Sequence, residues 1–265
     1  MKVKIFVILV VLAVLASSIT ACTTKGSYLI QVMKLAPENT EAVYCTDIKA
    51  TAEDPDLSFA YDEMISAMSY DVAFVVTSDI SVYAKFEIDW ESTIVLFGDF
   101  NLEDVRDALT DEDFVESEYR GIEIWTYNYT DDSVAFIGSM IIFSDDTDQV
   151  KACIRRYKNE ESSMYDDEDM KVVADRLPSG ISYMVFGPDV TRIEVLSGSI
   201  CWINTTNNDD ILDITGWLKF DSAASAEAAM ENVEDDLSRE LDITITDARL
   251  SGQFIEFTGE MEISE

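Results

Sequence analysis

Three observations predict an α+β fold of antiparallel sheets with helices packed on one face. The stretch ISVYAKFEI (80–88) alternates apolar and polar side chains without a break, placing Ile80, Val82, Ala84, Phe86 and Ile88 on one face of a strand whose other face is wet. Helical stripes lie between such strands: Val150, Cys153, Ile154 and Tyr157 recur at i, i+3, i+4 and i+7. Short turn signals at Arg120-Gly121 and Ser251-Gly252 join apolar-polar runs, so neighbouring strands run antiparallel.

In chain order, YLIQVMKL (28–35) predicts a short helix ended ahead of Pro37, and EAVYCTDI (41–48) a strand. PDLSFAYDEMISAMS (55–69) predicts a helix carrying Leu57, Tyr61, Met64, Ile65 and Met68 on one face. STIVLFGDFNLEDVRDAL (92–109) reads as a strand and then a helix capped by Asn101 and Asp104; FVESEYRGIEIWTY (114–127) follows as a hairpin. ILDITGWLKFDSAASAEAAMENVEDDLSREL (211–241) and DITITDARLSGQFIEFTGEMEI (242–263) repeat that pattern, so both units read β-α-β-β. Between them lie a hairpin (133–144), helices over 147–157 and 166–176, and strands over 180–187 and 192–203. The chain thus divides near residue 160 into two similar halves, 28–160 and 161–265.

Composition bounds the partners. The 265 residues hold 53 acidic and 18 basic side chains and no histidine, for a net charge of −35. Such a surface repels nucleic acid and anionic headgroups, which argues against a nucleic-acid partner and against a basic membrane patch. Apolar residues at 48% and aromatics at 11% supply a core, so the charge does not signify disorder.

The lack of histidine removes Ser-His-Asp and Cys-His catalysis and histidine metal sites together. The phosphate loop, the dinucleotide fingerprint, the C-x-x-C pair and the nucleophile elbow are absent as well. Paired carboxylates are the catalytic option left, yet with 53 acids some pairs meet in any fold. Oxygen-rich clusters at 110–113, 130–133, 144–148, 165–169 and 204–210 lack EF-hand spacing and read as turns and helix caps. No cofactor is expected; weak, diffuse Ca2+ or Mg2+ binding by the acidic surface is the expectation for cations. One aromatic stripe stands out in GIEIWTYNYTDD (121–132), where alternation puts Glu123, Trp125, Tyr127 and Tyr129 opposite Ile122 and Ile124. Trp125, Tyr127 and Tyr129 are the candidate ligand-binding residues, suited to a sugar or peptide; the competing reading is a strand whose second face packs under a helix or crosses a sheet edge. Trp90 and Trp202, beside polar turns, carry the same two readings.

The chain opens with Lys2 and Lys4, runs apolar from Ile5 to Ala16, and ends in small residues before a cysteine, the layout of a secretory signal. Its apolar run is shorter than the roughly 20 residues a membrane span needs. Ile19-Thr20-Ala21-Cys22 resembles the lipobox of bacterial lipoproteins. That resemblance implies that residues 1–21 are removed as a signal peptide, that the Cys22 thiol carries a diacylglyceryl group and its amine an acyl chain such as palmitate, and that residues 22–27 form a tether. The alternative is an ordinary secretory signal with a chance cysteine, or an uncleaved anchor. The mature chain would keep 16 basic and 53 acidic side chains, a net charge of −37. Thr23 follows the cysteine; an aspartate there commonly signals inner-membrane retention in two-membrane hosts. The rest of the chain resembles uncharacterised bacterial surface lipoproteins built from paired α+β repeats, which carry no catalytic residues to transfer.

Cys45, Cys153 and Cys201 then allow at most one disulfide, and each reads as a small core residue. The reading that follows is a non-enzymatic, extracytoplasmic protein, anchored by lipid on Cys22 to the cell membrane or outer membrane. It binds or scaffolds an envelope protein or polymer. The alternatives are a carrier of an apolar ligand between sheet and helices and, third, a glycan-directed hydrolase using paired carboxylates.

Overall fold

A computed structural model describes residues 26–54, 57, 61, 62, 64–66, 68, 72–88, 91–203, 211–241 and 243–262. Cys22, the lipobox and most of the tether lie outside the described residues, as do Trp90 and the cluster at 204–210.

The strands are β1 (Ala42–Asp47), β2 (Ile80–Ile88), β3 (Glu91–Gly98), β4 (Phe114–Tyr119), β5 (Ile122–Tyr127), β6 (Ser133–Ile137), β7 (Met140–Ser144), β8 (Ser182–Phe186), β9 (Ser197–Ile203), β10 (Ile211–Lys219), β11 (Thr244–Ser251) and β12 (Phe254–Glu262). They form one antiparallel sheet in the order β11-β12-β10-β9-β8-β1-β2-β3-β7-β6-β5-β4. Seven α-helices with described bounds accompany them: α1 (Gly26–Met33), α2 (Ile48–Ala52), α3 (Leu102–Asp111), α4 (Thr147–Tyr157), α5 (Glu168–Ala174), α6 (Ala223–Ala229) and α7 (Val233–Leu241). Within the expected helix over 55–69, residues 61, 62, 64–66 and 68 are helical.

The α+β class and the antiparallel pairing are those the sequence predicts; the helices, however, cover both faces of the sheet rather than one. The reason is visible in the strands. β3, β6, β7, β8 and β9 are buried at consecutive positions, so both parities need apolar cover. On one face Val43, Phe86, Val95, Ile142 and Val185 meet Val32 and Leu29 of α1, Val150, Cys153 and Ile154 of α4, and Val173 of α5. The other face holds two clusters. Ile94, Leu96, Trp125 and Ile141 pack with Val105 and Leu109 of α3, whereas Met184, Ile214, Leu218 and Phe257 pack with Ala226 of α6 and Val233 and Leu237 of α7.

The path of the chain shows a repeated plan. A three-strand meander (β1-β2-β3, then β8-β9-β10) is followed by a helical crossover, and the strand that returns pairs with the third strand: β7 with β3, β12 with β10. The first unit carries two extra strands, so its β4-β5 hairpin lies at the far edge of the sheet instead of beside β3. The β1–β8 ladder, from Ala42↔Phe186 to Thr46↔Ser182, joins the two units into one sheet.

Local sequence explains the punctuation. Asn101 caps α3, accepting from the Glu103 N–H at 3.2 Å, and its amide reaches Asp104 at 2.7 Å. Asp146 caps α4 through the Asp148 N–H at 2.8 Å, and Asp167 caps α5 through the Asp169 N–H at 2.7 Å. The acidic runs at 144–148 and 165–169 are therefore helix caps. Arg120 and Gly121 both have positive φ, at 54° and 77°, as a two-residue type I′ hairpin turn requires. At Gly216 a Cβ would come within 2.1 Å of the Phe257 ring, so this glycine lets the ring lie flat on the sheet.

Candidate functional site

The aromatic stripe divides into a buried part and an accessible part. Alternation along β5 places Glu123, Trp125 and Tyr127 on the face that α3 covers, opposite Phe114, Glu116 and Glu118 of β4. Trp125 is only 6% exposed and joins the core beneath α3, so the helix-covered reading holds for it. Its indole N–H donates to Glu123 Oε1 at 2.6 Å, and Arg106 of α3 grips both carboxylate oxygens of Glu123, at 2.7 and 2.8 Å. That guanidinium, with help from the indole, holds the Glu123 carboxyl below the usual glutamate range, and the carboxylate raises Arg106 in turn.

Past the end of α3 the stripe opens to solvent. Tyr127 stacks obliquely on Phe114, its cross-strand partner, with ring centroids 5.2 Å apart; Tyr129, 75% exposed, meets Tyr127 edge-on at 5.4 Å. Phe74 and Phe143, centroids 5.8 Å apart, face the same notch. Phe74, Phe114, Tyr127 and Phe143, with Glu112 and Asp132 at the rim, enclose about 240 Å³. Two backbone links fix its mouth. The Tyr127 N–H donates to the Asp132 carbonyl at 2.9 Å, and the Asn128 N–H to the Asp113 carbonyl at 3.3 Å, with Asp113 at a φ of 65°. The structure thus brings Tyr127 and Tyr129 together at an accessible site, removes Trp125 from it and adds Phe74, Phe114 and Phe143. Aromatic faces edged by carboxylates attract a cation that carries an apolar stem.

Trp202 lies elsewhere, half-buried against the cluster under α6 and α7, with its indole N–H buried and unpartnered. It lines, with Thr46, Leu57, Met64, Leu212 and Met261, an apolar crevice of about 180 Å³ where the two units meet. Cys45, Cys153 and Cys201 are free and buried, and burial pushes each thiol up to about 12. Cys45 sits opposite Tyr183, and Tyr183 opposite Cys201, so a full strand separates those two thiols, beyond disulfide reach. Among the described residues no three histidine, cysteine or acidic side chains come together to hold a metal, and no helix is long and apolar enough to cross a membrane.

No protein-family model matches the chain, and no curated protein matches it. Among solved structures, crystal form I of TP0453 is similar, with a TM-score of 0.55 and 9% identity over 87% of this chain and 93% of that one. At that identity the likeness concerns architecture alone: this chain shares a mixed α+β, antiparallel-sheet fold with TP0453.

Proposed function

We propose that this chain is a lipid-anchored, extracytoplasmic bacterial envelope protein with a non-catalytic role, and that it binds a partner at the aromatic notch beside β4 and β5. The observation that carries the binding role is the stack of half-buried Phe114 and Tyr127 with exposed Tyr129, edged by Glu112 and Asp132, in a chain with 53 acids and no histidine. Aromatic side chains left in water cost free energy unless something covers them. A notch of about 240 Å³ falls below the usual size of a pocket that encloses a small-molecule ligand, but it admits one side chain of a larger partner. The apolar carrier finds less support, since the crevice at Trp202 measures about 180 Å³. The glycan-directed hydrolase finds less still, since with 53 acids the approach of two carboxylates such as Glu112 and Asp132 is not specific. Anchoring rests on the lipobox resemblance at Ile19-Thr20-Ala21-Cys22.

Two experiments test this. A photo-crosslinking phenylalanine analogue is placed at Tyr129 in the full chain expressed in a bacterial envelope, with the same analogue at exposed Tyr157 as control. A discrete adduct from position 129 alone supports binding at the notch; equal labelling from both positions, or none, overturns it. Intact-mass spectrometry of membrane-extracted chain, beside Cys22→Ala, reads the anchor. Loss of residues 1–21 with acyl mass on Cys22 is the expected result, and an unmodified chain overturns lipidation.

A further inference from the structure

Resting on that binding role, we infer that the partner is a basic extended polypeptide segment that adds as a thirteenth strand along β4, with alternate lysine or arginine side chains on Glu118, Glu116 and the aromatic notch. β4 ends the sheet, and its burial pattern is open from Val115 to Glu118. Hairpin geometry says which groups it offers. Across a two-residue turn the flanking pair, Tyr119↔Ile122, exchanges hydrogen bonds, and so does every second pair beyond it: Ser117↔Ile124, Val115↔Thr126. The Asn128 N–H bond to the Asp113 carbonyl continues that series. Phe114, Glu116 and Glu118 therefore turn their N–H and C=O groups outward, toward the free edge.

The same three residues share one face of the strand, since side chains alternate. An antiparallel incoming strand would bond at these three positions, and its side chains opposite them would lie on that face. Two of those side chains would meet Glu116 and Glu118, and the third would reach past Phe114 to Tyr127, Glu112 and Asp132. The arrangement calls for positive charge at every second residue, with a stem long enough to lie on an aromatic face. Arg106, which feels the charge of Glu116, gives its Nε and one terminal N–H to Glu123, and among the described residues neither Glu116 nor Glu118 forms an ion pair, which leaves both to an incoming cation. Other edges of this kind are blunted by lysine; here the edge carries acid, so a basic strand is selected and a second copy of the same edge repelled.

The test uses the full chain extracted from bacterial membranes in nonionic detergent, titrated against a fluorescent seven-residue peptide that alternates lysine and threonine. A peptide of the same composition with its lysines in one block serves as comparison. By fluorescence anisotropy the alternating peptide should bind about tenfold more tightly than the block isomer. Glu116→Pro, which removes one outward N–H and a charge, should weaken it about tenfold. The double variant Glu116→Gln/Glu118→Gln keeps the backbone and should weaken it about fivefold at physiological salt. Should the proline variant fail to fold, as read by circular dichroism, the double variant decides. Equal binding of both peptides, or binding indifferent to the double variant, would overturn strand addition. A Tyr129 adduct without peptide binding would overturn this inference while leaving the binding role standing.

Discussion

The two edges of the sheet close the same chain plan in opposite ways. At one end β11 is bulged between Ile245 and Asp247, carries the Asp247–Arg249 ion pair (2.7 Å) on the strand itself, and has α6 and α7 packed beside it. A bulge twists the edge and mixed charge repels any one kind of strand, so this end is closed to pairing. At the other end β4 runs in unbroken register with β5, bears Glu116 and Glu118 with no basic residue between Phe114 and Tyr119, and finishes at the aromatic notch. The difference teaches that edge protection and partner selection are made from the same material. Which one results depends on whether the charge is mixed or of one sign.

The comparison can be broken most severely at the closed end. Phe257→Ala removes a ring that is 1% exposed and lies over Gly216, and should cost about 3–5 kcal/mol in a urea melt, lowering the midpoint without affecting the notch. At the open end the support of the notch is electrostatic. Glu123→Gln loses the Arg106 clamp and should cost about 1–2 kcal/mol at pH 7, reduced by the partial exposure of both side chains. The pH dependence of that difference has a definite sign. Because the folded-state value of Glu123 is lowered, its contribution is complete above the unfolded glutamate value of about 4.3 and is lost as pH falls through the lowered one. Wild type and variant should therefore converge in stability below that window, and urea melts between pH 2 and 7 would show it. Arg176, stacked over Phe254 at 4.1 Å and Trp217 at 4.8 Å, sharpens the contrast from the other side. Arg176→Ala should cost about 0.5–1 kcal/mol and quench or shift tryptophan emission near the closed edge. The smallest effect belongs to Tyr129→Ala, within about 0.5 kcal/mol on stability since the ring is 75% exposed, yet lowering the Tyr129-side contact with any bound peptide.

Much of this was legible from local pattern. The alternation of 80–88 marks β2 to the residue, the 147–157 stripe marks α4, and Arg120-Gly121 marks the hairpin whose turn fixes every β4-β5 pair. That register alone places Phe114 opposite Tyr127, so the turn itself points to one of the notch residues. Phe74 and Phe143 gave no such signal, because their nearness to Tyr127 depends on strands that meet only in the finished sheet. Alternation also put Trp125 on the same face as Tyr127 correctly, but periodicity along one strand says nothing about where a covering helix stops. The same limit hid the two-faced packing. Buried runs such as SVAFI (133–137) have no polar parity, and a run of that kind is silent about which layer covers it. The acidic clusters at Asp146 and Asp167 are legible as caps because capping is local chemistry.

The β1–β8 ladder has a consequence for how the molecule is made. Residues 42–47 can pair with β2 soon after synthesis, but their second neighbour, residues 182–186, arrives only after the whole first unit has been produced. Until then β1 is itself a bare sheet edge that carries Val43 and Cys45, both buried in the finished protein. Pairing over so long a separation is slow, and a bare apolar edge held open meanwhile is the kind of surface that aggregates. A chain that ends between residues 160 and 180 should therefore aggregate more readily than the full chain, as light scattering of the two would show.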